Sequence, residues 1–121
     1  YEAIQEVGAA VQRELLVGSR YAETGDPAYL RRYRQAMTEA DALRRRAVAM
    51  PAIGVAERAQ LEQIGLRQSA TEARLAMVRA YRALGRAADA ERVLSTTMEE
   101  ASAITTDLAA LRRAASQRAA A

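Results

Sequence analysis

The side chains able to do chemistry here are few in kind. The 121 residues include no His, no Cys and no Lys, so all 18 basic residues are Arg. A Ser–His–Asp triad, a Cys–His pair, a zinc cluster and a His-bearing di-iron site are therefore excluded. Without Lys, a Ser–Lys dyad and a Schiff base fall away as well. Carboxylates remain, notably Glu57, Glu62, Glu72 and the adjacent Glu99 and Glu100. Neighbours on a helix point about 100° apart, so Glu99 and Glu100 cannot both aim at one buried bond. All five read as solvated helix faces. Gly18, Gly25, Gly54, Gly65 and Gly85 lack the spacing of a nucleotide-binding loop. These features predict a chain with no catalytic site, no cofactor and no metal. What is left for recognition is Arg, a bidentate fork for carboxylates, and Tyr, a ring with a hydroxyl.

Helices must do the positioning. Ile4, Val7, Val11, Leu15, Gly18 and Ala22 recur in steps of three and four, which predicts a helix over 2–23. The run Thr24, Gly25, Asp26, Pro27 stops it: Gly25 suits a left-handed C-cap, Asp26 an N-cap, and Pro27 the first helical position. A second helix is expected over 27–50, striped by Leu30, Tyr33, Met37, Ala40, Leu43, Ala47 and Met50, and ended by Pro51 and Gly54. The third, over 55–84, carries Leu61, Ile64, Leu75, Val78 and Tyr81, and Gly85 closes it. The fourth, from 87 to 115 or beyond, has Ala90, Leu94, Thr97, Ala101, Ile104, Leu108, Leu111 and Ala115 in a coiled-coil-like seam. Short connectors make neighbouring helices antiparallel. The expected fold is all-α, one domain over residues 1–121, an antiparallel up-and-down four-helix bundle.

That arrangement gathers a candidate site. Arg20 and Tyr21 close the first helix, Tyr29 opens the second, Tyr81 and Arg82 close the third, and Arg86 precedes the fourth. The six fall in one layer at the distal end, where Arg donors and Tyr rings suit an anionic or planar metabolite. Gln68 and Thr71 form a competing core pocket, because they stand where the third stripe calls for apolar groups that need no partners.

The net charge of +3 does not point to nucleic acid, because the 15 acids are interspersed among the Arg residues rather than leaving one basic element. The 121 residues suit a single core. Six Gly and two Pro are too few for a turn-rich all-β domain. No run of 18 apolar residues is present to span a membrane. The chain opens on Tyr1 rather than Met and reads as a piece of a longer protein.

The stretch Tyr21-Ala-Glu-Thr-Gly-Asp-Pro-Ala-Tyr-Leu-Arg-Arg-Tyr-Arg34 resembles a recurrent signature of bacterial sensory domains. These are the CHASE-type and related four-helix extracytoplasmic domains of histidine kinases, chemoreceptors and cyclic-di-GMP enzymes. Tyr21, Thr24, Gly25, Asp26, Pro27, Tyr29 and Leu30 occupy the matching positions, while Ser19 and Arg20 stand where the family usually has Arg-Gly. Residues 81–94 also look like that family's turn from third to fourth helix. The resemblance implies a periplasmic domain of an inner-membrane receptor, most naturally a sensor histidine kinase. It further implies transmembrane helices flanking the chain, a small-molecule or periplasmic-protein ligand, and a weak homodimer through the first and fourth helices. A chemoreceptor domain, a tetratricopeptide-like repeat unit around residues 80–94 and a coiled-coil adaptor bundle are the rival readings.

Overall fold

The computed structural model describes residues 2–120. It is all-helical, with four helices and no strand among the described residues: α1 (Glu2–Thr24), α2 (Pro27–Ala49), α3 (Val55–Ala83) and α4 (Ala87–Ala120). Each boundary falls within a residue or so of the expected one, and α4 runs on to Ala120. At 1.5 Å per residue, α1 and α2 are about 35 Å long and α4 about 51 Å.

The breaks follow from local chemistry. Gly25 takes a φ of +68°, a region that costs a residue with a Cβ. Asp26 then caps α2, its carboxylate accepting the Ala28 N–H at 2.9 Å, with Pro27 in the first turn. At the other distal turn Gly85 has a φ of +73°. There the Gly85 N–H donates to the Arg82 carbonyl and the Arg86 N–H to the Tyr81 carbonyl, the paired bonds of a Schellman cap. The α2–α3 connection is held differently. Ile53 is buried in the core, and the Glu57 carboxylate accepts the Gly54 N–H at 2.7 Å while meeting Arg118 of α4 at 2.7 Å. Glu57 is thus a buried cap rather than the solvated side chain the sequence implies.

α1 packs against all three other helices, α3 packs on α4, α2 touches α3 more sparsely, and α2 and α4 do not meet. The core comes in two apolar parts. One joins Ile4, Val7, Val11 and Leu15 to Leu61, Ile64, Ile104, Leu108 and Leu111. The other joins Ala22, Tyr33, Leu75, Val78 and Ala90. Between them lies a polar waist: Glu14 on α1, Gln68 and Thr71 on α3 and Thr97 on α4 are all buried.

Candidate functional site

At the distal end the structure brings α1, α3 and α4 together, but it spends the charges there on the fold. Arg82 Nη2 meets the carboxylate of Glu23 on α1 at 3.0 Å and that of Glu91 on α4. The hydrogen bonds it donates to Glu91 and then to Glu23 push its pKa still higher, so it stays charged and neutralised in place. Arg86 Nη2 binds Asp89 at 2.7 Å and its guanidinium lies 5.2 Å above the Tyr81 ring. Arg32 stands 6.0 Å above the Tyr29 ring, and Tyr21 tilts against Tyr33 at 6.4 Å. Arg20 is exposed, and its guanidinium makes no hydrogen bond or ion pair among the described residues. Arg79 joins this layer from α3. Its guanidinium lies against Gly25, and its Nη1 is buried with no acceptor.

The waist is less settled. A cavity of about 260 Å³ opens where α1, α2 and α3 meet, lined by Glu14, Met37, Thr38, Asp41, Arg44, Gly65, Gln68, Ser69 and Glu72. Glu14 is 1% exposed and neither of its carboxylate oxygens meets a donor. Burial above all, and then the Glu72 carboxylate beside it, raises the Glu14 pKa to about 8, while the nearby Gln68 side-chain amide works in the opposite direction. Gln68 Oε1 and the Tyr33 hydroxyl are also buried and unpartnered. Burial, with the charges of Glu72 and Glu14, pushes the Tyr33 hydroxyl upward too. Asp41, by contrast, is held by Arg44 at 2.6 Å and Arg45 at 3.0 Å. Arg44 crosses α3 at Gly65, where a Cβ would come within 2.7 Å of its guanidinium.

The two residues of the expected core pocket separate here. Thr71 is satisfied within its own helix, its hydroxyl donating to the Arg67 carbonyl at 3.0 Å. Gln68 lines the cavity and is left wanting. Glu14, which spacing alone does not single out, is buried with both carboxylate oxygens unpartnered. Spacing and residue type together carry its signal: residues 4, 7, 11, 14 and 18 form an unbroken three–four alternation, and the fourth position is an acid. Of the other carboxylates expected in solvent, Glu62 and Glu99 are exposed, whereas Glu72 is half-buried and Glu100 pairs with Arg67 at 2.9 Å.

Compared with protein-family models, curated proteins and solved structures, the chain matches none.

Proposed function

We propose that the chain is the extracytoplasmic ligand-binding bundle of a bacterial transmembrane signalling receptor, with a sensor histidine kinase as the output the resemblance implies. The observation that carries the binding part is the cavity at Glu14 and Gln68. A buried acid with no donor on either oxygen has no counter-charge inside the fold, and keeping it there costs stability whenever it ionises. A bound partner that supplies the missing donors would complete such a group. The ligand site of this proposal is the waist, because Arg82 and Arg86 at the distal end already hold carboxylates of the fold.

The arrangement in this proposal is antiparallel and up-and-down. From Arg13 to Gly18 residue numbers rise along α1, while their partners on α2 fall from Glu39 to Tyr33. On α3 and α4, Glu57 pairs with Arg118, Arg67 with Asp107 and Arg82 with Glu91, again in opposite order. In such a bundle α1 begins and α4 ends at the same side. In this proposal transmembrane helices of the full-length protein continue from there; no helix among the described residues is itself long and apolar enough to cross a membrane. Ligand binding at a cavity shared by α1, α2 and α3 would shift α1 against its neighbours and pass that displacement to the membrane. A homodimer through α1 and α4 belongs to the same proposal, supported by Leu16 and Met98, which expose 57% and 42% of their surface on that side.

The test is topological. Ala87 is exposed and the chain has no Cys, so Ala87→Cys in an otherwise cysteine-free full-length protein reports one position. A membrane-impermeant maleimide should label it in spheroplasts before lysis. Labelling that requires lysis would sink the receptor reading.

A further inference from the structure

The waist cavity has a composition that chooses among ligands. Of its three carboxylates, Asp41 is occupied by Arg44 and Arg45. Glu14, Glu72 and Gln68 Oε1 therefore offer acceptors, and the one cation in the lining, Arg44, is turned to Asp41 rather than to them. From α2 the Tyr33 hydroxyl adds another polar atom without a partner, and from α4 Thr97 adds none, because its hydroxyl bonds the Val93 carbonyl at 2.7 Å. A site with this excess of acceptors repels anions and is completed by donors.

Resting on the ligand-binding reading above, we propose that this cavity binds a small organic ammonium ion, with Glu14 and Glu72 as counter-ions and Gln68 Oε1 as an acceptor. An ammonium carries three donors on one centre, matching three acceptors drawn from α1 and α3. A bare divalent metal fits poorly, because no group of three His, Cys, Asp or Glu side chains among the described residues is placed to hold one. The cavity of about 260 Å³ has room for an alkyl amine of several carbons, and Met37 supplies an apolar wall for its chain. A proton is the competing occupant. It would neutralise Glu14 and let it donate to one neighbour, leaving the remaining acceptors unmet.

The two occupants compete for the same carboxylate, which gives the site a signature. With the Glu14 pKa near 8 in the empty site, binding a cation at neutral pH must expel a proton. The apparent affinity should therefore rise about tenfold from pH 7 to pH 9, while an amine of ordinary basicity stays charged.

Calorimetry of the 121-residue chain with 1,4-diaminobutane, propylammonium and succinate tests this, run in buffers of different ionisation heat. Expected is saturable binding of at least one amine, release of close to one proton at pH 7, and loss of tenfold or more in affinity in Glu14→Gln. That variant keeps the volume and matches the uncharged form that Glu14 holds in the empty site at pH 7, so circular dichroism should show it fully folded. No amine binding at millimolar concentration overturns the proposal, as does amine binding unchanged in Glu14→Gln. Succinate binding that is lost in Arg20→Ala would overturn it too, while leaving the receptor reading intact. The labelling of Ala87→Cys reports on that reading separately.

Discussion

Gly18 of α1 lies so close to Tyr33 of α2 that a Cβ at residue 18 would sit 2.7 Å from the Tyr33 ring and 2.9 Å from Leu75. The glycine seats the ring, and the ring holds its hydroxyl near the waist. Gly18→Ala gains helix propensity but must push both side chains aside. We expect a net loss of about 1–3 kcal/mol, as for overpacked cores, seen as a Tm several degrees below wild type. An unchanged or raised Tm would show that the ring moves freely.

Stability should fall as pH rises. In the folded chain burial, and then Glu72, raises the Glu14 pKa from the ordinary 4.5 to about 8. Below the unfolded value both states hold the proton and the group is neutral to folding. Between the two values the unfolded chain alone has ionised, so the folded state loses ground, by at most about 1.4 kcal/mol per pH unit. Above the folded value the loss is complete. Urea melts from pH 4 to pH 9 should show this decline, flattened in Glu14→Gln, which should be the more stable protein on the alkaline side. Parallel pH profiles for the two would contradict the assignment.

Asp26 caps α2 through its carboxylate and the Ala28 N–H. Asp26→Ala should cost about 0.5–2 kcal/mol, while Asp26→Asn, which keeps the acceptor, should cost much less. Equal Tm values for the two variants would mean that Pro27 and Gly25 set the turn without the cap.

The helices, their ends and most of the core were legible from spacing and punctuation. Gly25, Asp26, Pro27 and Gly85 act through their own backbone chemistry, so one sequence suffices to read them. The Glu57–Arg118 and Arg82–Glu23 pairs and the partial burial of Glu72 were not legible, because they depend on how separate helices rotate against one another. Glu14 lay between. Its place in the α1 stripe was visible, but an acid in a stripe reads as an exception until the cavity beside it is seen. Gln68 was singled out for that reason, and the waist it marks lies roughly midway between the two apolar clusters.

Leu16 and Met98 predict the oligomeric state. Sedimentation of the wild-type chain should show a weak, concentration-dependent dimer, and Leu16→Glu should sediment as a monomer throughout. If Leu16→Glu associates as strongly as wild type, the α1–α4 face is not the interface.

A ligand of this chain should be held at the polar waist rather than in the distal Arg–Tyr layer. Amide chemical-shift mapping by NMR during titration with 1,4-diaminobutane and, separately, succinate tests it most directly. The diamine shifts should gather at and around Glu14, Asp41, Gln68 and Glu72, saturate, and vanish in Glu14→Gln. Shifts centred instead on Arg20, Tyr21, Tyr29, Tyr81, Arg82 and Arg86, with either probe, would contradict that placement.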